Sequence, residues 1–292
     1  MTKVYRVDPN NPNEDILKEV AMMVKDGKLV AFPTETVYGL GTNAFNESAV
    51  KRIFEVKQRP PKPVAVIVPN LDLVREIAKP NEVALKLMKS FLPGPVTIIV
   101  KKRDVIPDIV TAGSDKVGIR IPNYKIPIKI AEFSGVPIAT PSANISGKPS
   151  PTKAEHVVQD LMGKVDAIID GGETPLKIES TVIDTTTDPP KVLRIGALPL
   201  KDIERVIGNV EVLDYRAYKP KAKVVAIFGK YSVEEIARRF KGRVCIIKRD
   251  ELEDFLDVLR RCEGCDVIIF ECYDVDEAVG SRIRTIADVI FE

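Results

Sequence analysis

Two hydrophobic periods alternate along the first two thirds of the chain. Residues 14–26 (EDILKEVAMMVKD) carry apolar side chains at helical spacing, with Asn13 placed to cap the start and Gly27 to stop the end. LVAFPT at 29–34 is a continuous apolar run closed by a proline, which predicts a buried strand. The alternation continues with a helix at 47–57, a strand at 64–68, a helix at 84–91 and a strand at 95–102. Short apolar runs follow at 117–121 and 136–140. Thr152 and Glu155 have capping-box spacing and open a predicted helix that runs to about Leu161. Three strand-like runs between 166 and 195 (DAIID, STVID and KVLRI) are joined by Gly- or Pro-containing turns, and a helix at 200–208 ends at Gly208.

Beyond DYRAYKPKA (214–222), which is polar and aromatic and contains a proline, the pattern becomes more regular. KVVAIF (223–228), RVCIIK (243–248) and DVIIFE (266–271) read as strands, with amphipathic segments at 233–241 and 250–261 between them. Ser232 with Glu235, and Asp250 with Glu253, have N-cap and N3 spacing. The expectation is an α/β chain with a domain at 1–209, a linker at 210–222 and a small Rossmann-like, parallel-sheet domain at 223–292.

With 292 residues, 45% hydrophobic and 29% charged, the chain has an ordinary globular balance. No apolar run approaches the roughly 18–20 residues of a membrane helix. The start, MTKVYRVDPNNPNED, lacks the pattern of a signal peptide. A cytoplasmic protein without membrane contact is expected. Net charge is only +2, but residues 1–221 hold 32 Lys+Arg against 27 Asp+Glu, while 222–292 hold 12 against 15. The modest surplus in the first part suits a small anionic ligand and falls short of a nucleic-acid surface. All four cysteines lie in the tail, at 245, 262, 265 and 272. Four reduced thiols are the plainest reading, with a disulfide as the alternative. A structural zinc would need four ligands, and only one C-x-x-C exists, with no histidine nearby.

Polar clusters stand where predicted strands end, which is where open α/β sheets place ligands. They are Pro33-Thr34-Glu35-Thr36-Val37-Tyr38-Gly39-Leu40-Gly41, Lys57-Gln58-Arg59, Pro141-Ser142-Ala143-Asn144-Ile145-Ser146-Gly147 and Glu179-Ser180-Thr181-Val182. Each alone reads as a turn, a cap or a solvated helix end; their coincidence in one chain points to a site. Neither G-x-x-x-x-G-K-[ST] nor G-x-G-x-x-G occurs, and Gly229-Lys230-Tyr231-Ser232 lacks the phosphate-loop spacing. His156, the single histidine, reads as a surface or structural residue, which argues against a Ser-His-Asp hydrolase.

FPTETVYGLG, KxRPxxP, PGPVT, VGIRIP, PIATPSANISGKPSPT, DGG, ESTVID and the Leu193-Arg194–Gly196 pair, in that order, resemble the YrdC-like family. YRAYKPKA and the closing SRIRTIADV resemble its two-domain form, the threonylcarbamoyl-adenylate synthases with an appended C-terminal domain. The resemblance implies a twisted mixed-sheet catalytic domain. It also implies a nucleotidyltransferase that joins L-threonine, bicarbonate or CO2, and ATP with release of pyrophosphate, with Mg2+ accompanying the ATP. The product would pass to a threonylcarbamoyl-transferase complex that modifies the adenosine beside a tRNA anticodon, and this step would need no tRNA contact. By the same resemblance Lys57 and Arg59 face the triphosphate, Ser142, Asn144, Ser150 and Arg194 contact the nucleotide, and Thr34, Arg120, Thr140 and Ser180 hold threonine. Tyr218, with Tyr215, would close the linker over the site, and no protein ligand is assigned to a metal. Ile195 stands where the family usually has proline. Two other readings are an RNA-binding YrdC-like module without synthase activity and a carbamoyl-transfer domain of the hydrogenase-maturation type. The second normally sits in a longer chain with zinc-finger-like cysteines.

Overall fold

The computed structural model describes residues 1–213 and 219–292. The linker tyrosines Tyr215 and Tyr218 lie outside the described residues. Two sheets organise the chain. The first has twelve strands, and eleven of them run in the order Lys3–Arg6, Ala167–Asp170, Val30–Phe32, Gly39–Asn43, Ile138–Ala139, Ala65–Ile67, Lys116–Arg120, Val96–Lys102, Thr181–Asp184, Lys191–Arg194, Glu211–Val212. Ala78–Lys79 pairs with Val96–Lys102 beside this row. Parallel and antiparallel pairs mix, and the two halves join where Gly39–Asn43 meets Ile138–Ala139. The sheet reaches Glu211–Val212, inside the stretch expected as linker.

Four helices of this part begin on an asparagine (Asn13, Asn46, Asn70, Asn81) whose side-chain oxygen accepts from backbone N–H groups of the first turn. The Glu14–Lys25 and Lys125–Ser134 helices cover one face and share an apolar cluster with Val30 and Phe32. Leu29 and Ala31 point to the opposite cluster, with Val50, Ile53, Leu87 and Val157. Burial on both faces explains why this strand is continuously apolar rather than alternating. The helix expected from Thr152 begins instead at Ala154 and has no side-chain cap. Thr152 Oγ1 bonds Asp254 Oδ1 of the C-terminal part at 3.3 Å, so the predicted capping box is absent because a tertiary partner takes the hydroxyl.

The second sheet is wholly parallel, in the order Val244–Ile247, Val267–Glu271, Lys223–Ile227, Val289–Phe291. Its fourth strand, three residues at the very end of the chain, carries too short a pattern to be foreseen. Ser232 caps the Val233–Ala237 helix as expected. Asp250 and Glu253 form no box: they sit in a 3-10 turn, Arg249–Asp254, and Asp254 caps the Phe255–Arg261 helix. Cys245 and Cys262 form a disulfide between the Val244–Ile247 strand and the end of that helix, while Cys265 and Cys272 are free. The expectation of four reduced thiols is thereby corrected; the fold brings together two cysteines 17 residues apart. No helix among the described residues is long and apolar enough to cross a membrane.

Candidate active site

A cavity of about 270 Å³ opens in the first sheet, where the predicted polar clusters converge. Thr34, Arg59, Arg120, Thr140, Ser142, Ser180 and Arg194 line it together with Glu179 and Thr97. Most of these side chains stand at or just beyond a strand terminus: Thr34 after Val30–Phe32, Arg120 ending Lys116–Arg120, Thr140 after Ile138–Ala139, and Arg194 ending Lys191–Arg194. Gly39 lets two of the clusters meet. It bridges Ser142, and a Cβ there would come within 2.5 Å of the Thr140 methyl.

Arg120 braces the Thr34-Glu35-Thr36 turn from beneath. Its Nη2 lies 2.9 Å from Glu35 Oε2 and donates to Thr36 Oγ1 at 2.7 Å and to Thr34 Oγ1 at 3.4 Å. Glu35 also accepts from Asn123 N at 3.2 Å. Thr34 Oγ1 closes its own turn by donating to the Val37 carbonyl at 2.7 Å. Across the cavity, Arg194 Nη2 donates to Ser180 Oγ at 3.1 Å, and Ser180 Oγ lies 3.0 Å from Thr97 Oγ1.

Lys57 does not line the cavity. It is 1% exposed, and its Nζ donates to the carbonyls of Ser142 (2.5 Å) and Asn144 (2.7 Å). Burial, reinforced by the neighbouring Arg59 charge and opposed by Asp160, pushes its ammonium down to about 7. The side chain therefore staples the Ser142–Asn144 loop, while Arg59 alone of the pair reaches the cavity. Asn144 is likewise buried. Its amide donates to the Ile145 and Lys148 carbonyls, while its Oδ1 has no protein partner. Ser150 sits behind the cavity wall and donates to Glu179 Oε1 at 2.9 Å.

Sequence reasoning assigned no role to Glu35, Thr36, Thr97 or Glu179. Thr97 carried a signal, a hydroxyl inside an otherwise apolar run. Glu179 carried another, an acid directly before a strand. Burial alone would raise the Glu179 pKa, but Arg282, Arg194 and the Ser150 hydroxyl hold it below the usual carboxylate value. Arg282 comes from the C-terminal part, which docks against this region at several points. Asp160, fully buried, pairs with Arg260 at 2.9 Å and Lys148 at 3.0 Å. His156 is buried too: Thr152 N donates to its Nδ1, and its Nε2 faces Asp257 Oδ1 at 2.9 Å. Among the described residues no group of three or more His, Cys, Asp or Glu gathers to hold a metal.

The Sua5/YciO/YrdC family model, described as telomere recombination, matches residues 22–196. Threonylcarbamoyl-AMP synthase of Pyrococcus abyssi is 45% identical over 249 residues, 77% of this chain and 73% of its own. Threonylcarbamoyl-AMP synthase of Bacillus subtilis is 45% identical over 208 residues, 70% of this chain and 60% of its own. The crystal structure of P. abyssi Sua5 complexed with L-threonine superposes with a TM-score of 0.90 at 39% identity, covering 97% of this chain and 96% of that one. A match spanning most of the first sheet, supported by relatives of this identity and coverage, makes the chain a member of the Sua5/YciO/YrdC family.

Proposed function

We infer that this chain is a threonylcarbamoyl-AMP synthase. The observation that carries the reading is the conjunction of two findings. Relatives of that name match at 45% identity, and a threonine-bound relative has the same fold across nearly the whole chain. The threonine amine adds to bicarbonate or CO2 to give N-carboxy-threonine, with loss of water in the bicarbonate case. An oxygen of the new carboxylate then attacks the ATP α-phosphorus, the bond to the β-phosphate oxygen breaks, and pyrophosphate leaves. Nucleotidyl transfer of this kind needs little covalent help; it needs placed substrates and positive charge where negative charge develops.

The cavity carries groups of those types. Arg120, with Thr34, Thr140 and Ser180, is assigned to threonine; its planar fork suits a carboxylate. Arg59, Arg194 and Ser142 are assigned to ATP, with Ser150 and Asn144 just behind them, and the Nε of Arg59 is buried without a protein partner. Lys57 acts on the nucleotide through the loop it staples. Tyr218, which the family resemblance assigns to ATP, lies outside the described residues. The buried carboxylates here, Glu35 and Glu179, each face an arginine, so Mg2+ accompanying ATP would take its ligands from phosphate oxygens and water rather than from them. The reaction makes the chain a nucleotidyltransferase of the cytoplasm. Its product feeds a transferase complex acting on tRNA, and its own step needs no RNA contact.

The test is pyrophosphate release from ATP and bicarbonate with a panel of amino acids. Release that depends on L-threonine and is lost in Ser142→Ala and Lys57→Ala is expected. No release with any amino acid from folded protein overturns the assignment and leaves the RNA-binding module as the reading to pursue.

A further inference from the structure

Arg282 lies outside the matched family region, on the Glu277–Ile286 helix of the four-stranded part, yet it is only 4% exposed. Its Nη2 donates to the Ile195 carbonyl at 2.7 Å, and its Nε stands 3.7 Å from Glu179 Oε2. These two contacts bracket the cavity wall. Glu179 directly precedes Ser180, and Ile195 directly follows Arg194. The two segments lie back to back: Ala197 N donates to the Glu179 carbonyl at 3.0 Å, and a Cβ on Gly196 would come within 2.3 Å of that oxygen. Glu179 in turn accepts from Ser150. One guanidinium from the C-terminal part thus holds the backbone on which Ser180 and Arg194 are mounted.

Electrostatics makes the same contact matter for an anionic ligand. Glu179 lines the cavity, and the charged groups that face it are Arg282 and Arg194. Arg194 is also bonded to Ser180 on the cavity side, through both the Ser180 carbonyl and its hydroxyl. If Arg282 were neutral, a buried carboxylate would keep its charge beside the site expected to receive a polyphosphate, at the cost that attends a half-broken buried pair.

We propose that Arg282 is a positioning residue for ATP: by neutralising Glu179 and tying down Ile195, it sets Ser150 and Arg194 for the nucleotide. This gives the C-terminal part a direct contribution to adenylation, and it rests on the synthase reading above.

The experiment compares wild type, Arg282→Lys, Arg282→Gln and the double variant Arg282→Gln/Glu179→Gln, all as the full chain. Threonine-dependent pyrophosphate release is measured, together with ATP binding by calorimetry from pH 8 to pH 5. Wild-type release secures the synthase reading, while the ATP-binding comparison tests Arg282 independently of it. Arg282→Gln is expected to lose roughly ten- to a hundredfold in kcat/KM for ATP, the scale of a misplaced binding wall. Arg282→Lys is expected to recover most of that loss. The double variant should exceed Arg282→Gln, because the buried carboxylate that has lost a facing arginine is removed as well. Relative to wild type, ATP binding to Arg282→Gln should tighten as pH falls, since protonation of Glu179 removes the repulsion; the double variant should show no such tightening. Binding and turnover within twofold of wild type in Arg282→Gln would overturn the proposal. So would a double variant as impaired as the single one with no pH-dependent tightening. Should Arg282→Gln fail to fold, Arg282→Lys and the double variant decide, since an Arg282→Lys no better than the double variant would remove any role for the charge.

Discussion

The two sheets of this chain both end their strands in polar residues, but they use them differently. In the first, the polar groups at strand ends are buried or half-buried and bonded to one another. Arg120, held by Glu35 behind it, and Arg194 with Ser180 stand in the walls of a cavity of about 270 Å³. In the second, the strand ends face a larger space of about 870 Å³, shared with Lys177 and Ile178 of the first part. Lys248, Arg249, Asp250, Glu271 and Asp274 line it, and Arg249 is paired with the exposed Asp274 at 2.7 Å. The wider space is rimmed by charges of both signs in contact with water, where ion pairs contribute little. The smaller one holds desolvated donors that only a matching ligand can use. Burial of polar groups, rather than volume, distinguishes the site.

The contrast is broken most severely at Arg120. Arg120→Gln strands the Glu35 carboxylate in the interior, and about 3–5 kcal/mol of unfolding free energy should be lost, read by urea denaturation, along with threonine-dependent pyrophosphate release. A loss below 1 kcal/mol would place Glu35 in water rather than in the wall. Asp160→Ala attacks the docking of the second sheet on the first by leaving Arg260 unpaired. A cost of about 3 kcal/mol is expected, with calorimetry resolving two thermal transitions in place of one.

Lys57 gives a smaller and more diagnostic effect. With a native value near 7 and an ordinary value of 10.5, its amine is neutral in the folded chain while still protonated in the unfolded one. Stability should therefore rise with pH across that window, at no more than about 1.4 kcal/mol per pH unit. Lys57→Met removes this rise, so the difference in stability between wild type and variant should grow from pH 7 to pH 10. A flat difference would mean that the two carbonyl acceptors keep the lysine charged. The smallest effect belongs to the second sheet's rim: Asp274→Ala should cost about 0–1 kcal/mol, and a larger loss would erase the distinction between the two regions.

Strand ends were legible in the sequence because an apolar run followed by Thr-Glu-Thr, Ser-Ala-Asn or Glu-Ser-Thr marks both a terminus and a reason to leave water. Thr34, Ser142 and Ser180 come together in the cavity on that signal. The direction of Lys57 was not legible. A Lys-x-Arg at a helix end reports charge, and only the packing of Phe54 and the Ser142–Asn144 loop decides which of the two turns inward. Arg282 was hidden for another reason. Its helix pattern is ordinary, and its partner Glu179 lies about a hundred residues earlier, joined to it only by the tertiary fold. The Cys245–Cys262 pairing was obscured by the more conspicuous Cys262-x-x-Cys265 spacing.

One feature of the first sheet bears on how the molecule comes into being. The strand Lys3–Arg6 is synthesised well before its partner, Ala167–Asp170, which sets Arg6 opposite Asp170. Val30–Phe32 also takes that strand as a neighbour. Residues 7–166 must be synthesised between the two before the sheet's outer edge can form. Until then Tyr5, Val30 and Phe32 have no finished surface to cover them. This segment therefore stays uncovered until Ala167–Asp170 emerges, and slow translation of residues 7–170 would lengthen that exposure.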